Sequence, residues 1–234
     1  MPADPQAGPL AYRPDPARPA RIMPWPMFQE NTDVLAAQVR DAGIRPDVIT
    51  GIFSGGWITA QALADHFPGT PVLAAACETG PAGEPAVVLW SAADGMLAPA
   101  WPPNGGVLLL VDEVIDSGRT VCAMAAGITR SCPGIRILTA CLACDEAARP
   151  VPDFAARRMS GLPEFVLPWR IQRDFPATAA CLLRGGPLTT DEIDERLREL
   201  GHDIPPPALA RMLAGIAGDG ILTAADGRWA VSPR

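Results

Sequence analysis

One stretch, VLLLVDEVIDSGRT at residues 107–120, constrains the fold of this chain more than any other. Its first five residues are apolar without alternation, the pattern of a strand buried on both faces of a parallel sheet. An unpaired buried charge is costly, so Asp112 and Glu113 must stand where the strand leaves the core, at its carboxyl edge. In open α/β sheets ligands bind at that edge, and the following turn delivers backbone N–H groups at a helix N-terminus, a natural receptor for phosphate. Ser117, Gly118, Arg119 and Thr120 suit such a receptor: hydroxyls, a glycine for close approach and a guanidinium for charge. Asp116 beside a phosphate loop would be repelled unless it served something else. A ribose 5-phosphate matches this order, with hydroxyls or a metal at the acid pair and the phosphate in the turn. A strand end followed by an Asp-Ser-Gly turn that caps a helix fits the same residues.

The rest of the chain supports an α/β reading. Residues 1–20 carry Pro every few positions, which forbids helix and marks a disordered tail. MFQENTDVLAAQVRDAG places Phe28, Val34, Leu35 and Val39 near helical spacing and stops at Gly43. DVITGIFS, a Gly pair and WITAQALADHF then read as strand, turn and helix. TPVLAAAC and AVVLW are further strands, and residues 91–106 form a long irregular stretch of the kind that serves as a lid. GRTVCAMAAGITRSC reads as a helix, IRILTACLAC as a strand and EFVLPW as a last strand. Strands alternating with helices predict a central, mostly parallel sheet with helices on both faces. After Trp169 the pattern changes to helix, helix and short terminal strand, an order that resembles a winged helix, with Thr190 starting the first of these helices. The expected organisation is a tail at 1–20, an α/β domain at 21–175 and a small C-terminal domain at 185–234.

VLLLVDEVIDSGRT also resembles the phosphoribosyl pyrophosphate (PRPP) signature of type I phosphoribosyltransferases, and EAARPVPDFAARRMSGLPEFVLPW resembles the tail of the xanthine/guanine/hypoxanthine enzymes of that family. PDVITGIFSGGWITAQALADHF is similar to the family's pyrophosphate loop and its helix. The resemblance implies the type I phosphoribosyltransferase fold and transfer of ribose 5-phosphate from PRPP to a nitrogenous base, most simply a purine in salvage. It implies that Asp112 and Glu113 hold the ribose hydroxyls directly or through Mg²⁺, and that Asp116, Ser117, Gly118, Arg119 and Thr120 enclose the 5-phosphate. Asp116 is then the catalytic candidate, exchanging a proton with the purine N7. Ser54, Gly55 and Gly56 would bind pyrophosphate, and Phe165, Val166 and Leu167 would stack on the base and offer backbone hydrogen bonds. A homodimer is expected.

Several positions depart from that family. Ser54 stands where a basic residue usually precedes the Gly pair, and Asp145 or Cys144 stands where a lysine holds the 6-oxo group of the base. A carboxylate cannot replace that donor. Arg170 follows Pro-Trp where relatives often have an acid. These departures keep a second reading open, a PRPP- or nucleotide-sensing regulatory protein with a C-terminal interaction domain.

Charge bears on that alternative. The formal net charge is −7, and all 19 cationic side chains are Arg, so no catalytic lysine is available. From residue 185 onward eight acids outnumber five arginines, so DNA binding is not expected, and protein contact is the better use of that segment. The six cysteines lack paired metal-finger spacing and read as buried structural thiols. His66 and His202 are isolated and carry no assigned role. No signal peptide or run long enough to span a membrane is evident, so a cytoplasmic protein is expected.

Overall fold

The structure is a computed structural model that describes residues 20–79, 85–91 and 105–232. Residues 1–19 of the expected tail and 92–104 of the expected lid lie outside them. In chain order the elements are β1 (Ala20–Ile22), α1 (Trp25–Asp41), β2 (Val48–Ile52), α2 (Gly55–Ala64), β3 (Val72–Thr79), β4 (Pro85–Ser91), β5 (Val107–Ile115) and α3 (Arg119–Ser131). There follow β6 (Arg136–Asp145), β7 (Phe154–Met159), β8 (Glu164–Val166), α4 (Phe175–Leu182), α5 (Thr190–Glu199), α6 (Pro206–Gly218), β9 (Leu222–Ala225) and β10 (Arg228–Val231). They divide into two compact bodies, one of Gln29–Leu162 and one of residues 20–28 with 163–232. Among the described residues no helix is long and apolar enough to cross a membrane.

The first body is built on a six-stranded sheet of order β4-β3-β2-β5-β6-β7. Every pairing is parallel except β3 with β4, which is antiparallel. The unbroken apolar run of β5 has a direct cause. Leu108 and Leu110 enter a core with Val121, Met124 and Ile128 of α3, whereas Leu109 and Val111 enter the opposite core with Leu35 and Val39 of α1 and Leu63 of α2. Both faces of the strand are therefore dry, and each such side chain contributes roughly 1.5–3 kcal/mol by leaving water. A one-residue slip would exchange the two faces and move the acid pair off the edge.

The helices expected on either side of this sheet are present, with some differences. Val34, expected on the apolar face of α1, is 39% exposed. Strand β7 has no counterpart in the sequence reading. Its arginine pair hid it, and at the sheet edge those side chains reach polar partners: Arg157 Nε donates to Asn31 Oδ1 at 2.7 Å, and Arg158 Nη2 to the Pro152 carbonyl at 2.9 Å. The expected burial of the cysteines holds for Cys141 and Cys144, but Cys122 is exposed and Cys132 and Cys181 are intermediate.

In the second body β8 does not extend the main sheet. It pairs in parallel with β1, Phe165 opposite Arg21 and Val166 opposite Ile22. Val166, Ile171 and Phe175 share one core with Ile193, Leu197, Leu209 and Leu213. That shared core groups the chain from Pro163 onward with residues 20–28 in one compact body. Helix α5 starts at Thr190 as expected, and the residue before it, Thr189, is the cap, its hydroxyl accepting from the Glu192 amide at 3.2 Å while Glu192 Oε2 accepts from the Thr189 amide at 2.7 Å. The terminal strand expected is a hairpin, β9 with β10, turning through Asp226 and Gly227 at φ 51° and 73°.

Candidate functional site

The carboxyl ends of two adjacent central strands, β2 and β5, carry the phosphate-loop candidates. On β5, Leu108 to Val111 are buried and Asp112 and Glu113 are half-buried, so the acids emerge where the sheet ends. The Glu113 amide donates to Asp112 Oδ1 at 2.9 Å, fixing the first carboxylate against its own backbone.

The β2–α2 turn lies directly against this pair. A β-carbon on Gly56 would stand 2.5 Å from the Val111 carbonyl oxygen and 2.9 Å from Asp112 Cα, and one on Gly55 would run into the Glu113 carboxylate. Both glycines are buried. Ser54 precedes them, exposed, and the Phe53–Ser54 peptide is cis. A third glycine, which the sequence reading did not single out, makes the approach possible: a β-carbon on Gly51 of β2 would stand 2.5 Å from the Gly56 carbonyl oxygen and from Trp57 Cα. Its signal was a lone glycine inside an otherwise β-branched strand, which marks close approach of another backbone.

The turn after β5 is held from behind. Gly118 adopts φ +83°, and a β-carbon there would stand 2.6 Å from the Arg149 carbonyl oxygen. The Arg149 amide donates to the Ser117 carbonyl at 3.1 Å, and the Arg149–Pro150 peptide is cis. Ser117 Oγ accepts from Arg119 Nε at 3.3 Å. Asp116, Ser117, Arg119 and Thr120 are exposed at the start of α3, while Gly118 is buried. Gly55 and Gly56, with Ser54 just before them, thus meet Asp112 and Glu113, and residues 116–120 continue the same strand end into a helix N-terminus.

The positions read as choosing the base behave differently. Asp145 is committed to its own loop, Oδ1 accepting from the Ala147 amide at 2.8 Å and Oδ2 from the Leu162 amide at 3.1 Å. Cys144 is buried, with Arg158 Nη1 3.7 Å from its sulfur. Its neighbour Cys141, opposite Asp112 in the sheet, has its thiol pushed far above the ordinary range, by burial first and then by Cys144 and Asp112. It is therefore an inert core thiol. Phe165, Val166 and Leu167 belong to the second body, where the Val166 and Leu167 side chains are each 1% exposed. The Val166 carbonyl accepts from the Met23 amide and the Leu167 carbonyl from the Arg170 amide, both at 2.9 Å. Two of the three carbonyls assigned to the base therefore already hold a bond inside this body. Phe165 is half-buried.

Comparison with known proteins adds the following. Residues 21–172 match the family described as phosphoribosyl transferase domain. The fold is similar to a purine phosphoribosyltransferase from Pyrococcus horikoshii, with 23% identity, 64% of this chain and 93% of that chain covered, and a TM-score of 0.52. It is also similar to the xanthine-guanine-hypoxanthine phosphoribosyltransferase of Helicobacter pylori, with 15% identity, 68% and 99% covered, and a TM-score of 0.54. No curated protein matches the sequence.

Proposed function

Because the chain belongs to the phosphoribosyl transferase domain family, we propose that it transfers ribose 5-phosphate from PRPP to a nitrogenous base, with a purine as the first candidate, and releases pyrophosphate. The observation that carries this reading is the meeting of the β2–α2 turn with Asp112 and Glu113 at one sheet edge, where Gly56 lies so close to the Val111 and Asp112 backbone that a glycine is required and Gly55 lies against the Glu113 carboxylate.

In this reading the 5-phosphate lies on the amides and hydroxyls of residues 117–120, at the N-terminus of α3, where the helix dipole and Arg119 favour an anion. Asp112 and Glu113 accept hydrogen bonds from the ribose 2- and 3-hydroxyls. The amides of Gly55 and Gly56 receive the pyrophosphate, whose charge grows as the C1–O bond loosens. The base N9 lone pair forms the bond to C1 while the C1–O bond breaks and pyrophosphate leaves with its electron pair. The Asp116 carboxylate takes the proton from N7 of the base.

Two adjoining carboxylates at a strand end are hard oxygen donors, which fits Mg²⁺ arriving with a polyphosphate and completing its shell with substrate oxygens and water. When bound, the ion supplies charge neutralisation on the departing pyrophosphate. Asp112 and Glu113 would hold it.

The test is to incubate the protein with PRPP and Mg²⁺ and a panel of purines, pyrimidines and related bases, following pyrophosphate release. Turnover with at least one base is expected. PRPP or nucleotide binding with no turnover on any base would replace the transferase reading with that of a sensor.

A further inference from the structure

The loop of residues 145–149, at the carboxyl end of β6, lies directly behind the turn of residues 116–120. Two backbone contacts join them. The Arg149 amide donates to the Ser117 carbonyl at 3.1 Å, and the Arg149 carbonyl oxygen stands so near Gly118 that a β-carbon there would come within 2.6 Å of it. Gly118 is the cap of α3, and its own carbonyl accepts from the Cys122 amide at 2.9 Å, closing the first turn of the helix. A displacement of Arg149 therefore displaces the residues that open α3.

Arg149 is held by a set of bonds within its own loop. Asp145 Oδ1 accepts from the Ala147 amide at 2.8 Å and Oδ2 from the Leu162 amide at 3.1 Å, so one carboxylate ties the loop to the chain beyond β7. Such bonds to an ionised acceptor are stronger than neutral ones. The Asp145 carbonyl accepts from the Ala148 amide at 3.0 Å, and Ala148 is 1% exposed, which anchors the turn in the core. Arg149 Nη1 then donates to the Ala148 and Glu146 carbonyls at 2.6 Å and 3.1 Å. The Glu146 amide donates to the Met159 carbonyl at 2.9 Å. A phosphate receptor made of backbone amides binds well only when those amides are fixed before the ligand arrives, since ordering them on binding costs affinity.

We propose that Asp145 and Arg149 are positioning residues for the phosphate turn. Asp145 fixes the 145–149 loop, and the backbone of Arg149 in turn holds Ser117 and Gly118 where the amides of residues 117–120 face one anionic group. This rests on the reading of that turn as the 5-phosphate site. It gives Asp145 a task other than choosing the base, because its oxygens serve amides of its own body and its effect reaches a ligand at the phosphate end.

The experiment is calorimetric titration of the full-length protein with ribose 5-phosphate, which carries the phosphate and the hydroxyls but no leaving group. Wild type is compared with Asp145→Ala, Asp145→Asn and Arg149→Met, and exchange of the Arg149 amide is followed in each by NMR. Asp145→Ala weakens binding about tenfold, and Asp145→Asn, which keeps one acceptor oxygen, weakens it less. Arg149→Met, which keeps the stem and the backbone, also weakens it. The Arg149 amide exchanges faster in all three as its bond to Ser117 opens more often. Urea unfolding identifies the variants that fold, and Asp145→Asn and Arg149→Met carry the test should Asp145→Ala not fold. A purely structural role lowers the unfolding midpoint and leaves the dissociation constant of the folded protein at its wild-type value, which overturns the proposal. Unchanged exchange at Arg149 overturns it as well. Failure of the wild type to bind ribose 5-phosphate sinks the phosphate reading and the proposal with it, whereas binding that the folded variants keep undiminished sinks the proposal alone.

Discussion

A β-carbon at position 56 would press on backbone, on the Val111 carbonyl and the Asp112 Cα, whereas one at position 55 would press on the end of the Glu113 side chain. Backbone cannot step aside without moving the strand, but a carboxylate can rotate. Gly56→Ala is therefore expected to cost about 1–3 kcal/mol of stability, the scale of overpacking in a dense interior, with the loss visible in urea unfolding. Gly55→Ala should leave stability closer to wild type and instead displace Glu113, weakening PRPP binding in a direct titration. Equal effects of the two on stability would contradict the geometry. In the transferase reading Asp116 is separated from them by role. Asp116→Asn keeps the shape of the turn and removes the base, so PRPP affinity should stay nearly intact while turnover falls about 10²-fold or more; a steady-state assay beside a binding titration checks it. At this scale the placement of the turn glycines and strand-end acids at one sheet edge was legible because a Gly pair after a strand and three acids before a helix are rare combinations. Asp145 was legible only as a departure. Nothing in its neighbourhood announced that its carboxylate would serve the Ala147 and Leu162 amides, since the second partner lies seventeen residues on.

Elements show a similar division between local and distant causes. The strands β2, β5 and β6 and the helices α2 and α3 could be read from periodicity, because both faces of the sheet are dry and the apolar runs are long. Strands β1 and β7 could not. The first follows a Pro-rich segment and exists through its pairing with β8, far along the chain, and the second carries two arginines that its place at the sheet edge beside β6 accommodates. Helix α5 is the opposite case, with its start written locally in Thr189 and Glu192. Thr189→Ala should cost about 1 kcal/mol, measured by urea unfolding. The pH dependence follows from Glu192, whose carboxyl is held below the ordinary glutamate value of 4.5 chiefly by the hydrogen bond from the Thr189 amide. A depressed folded-state pKa means the contribution is complete above the unfolded value and is lost as pH falls through the folded one. The stability difference between wild type and Glu192→Gln should therefore narrow on acidification below the ordinary glutamate range, and a difference constant with pH would remove the capping carboxylate from its role.

Across the whole molecule, charge is the property that separates the partners open to the chain. A transferase in this reading needs positive potential only locally, and the N-terminus of α3 with Arg119 supplies it despite a net charge of −7. A DNA-binding role for the C-terminal body would need it spread over a face. Its helices α5 and α6 with the β9–β10 hairpin have the element order of a winged helix, yet residues 185–234 hold eight acids against five arginines. Some of those arginines are already engaged, Arg228 with Glu192 at 3.1 Å and Arg198 with Asp194. On α6 the one cation is Arg211, where a recognition helix would carry several. Duplex affinity comes largely from counterions released as cations neutralise phosphates, and a segment of net negative charge releases few. In a gel-shift series at physiological salt the full-length protein should therefore bind duplex DNA no more tightly than the weak end of non-specific binding, about 10⁻⁴ M. A dissociation constant below about 10⁻⁶ M that weakens steeply with added salt would show that arginines outside this count gather on one face, and would move the C-terminal body from protein contact to nucleic acid.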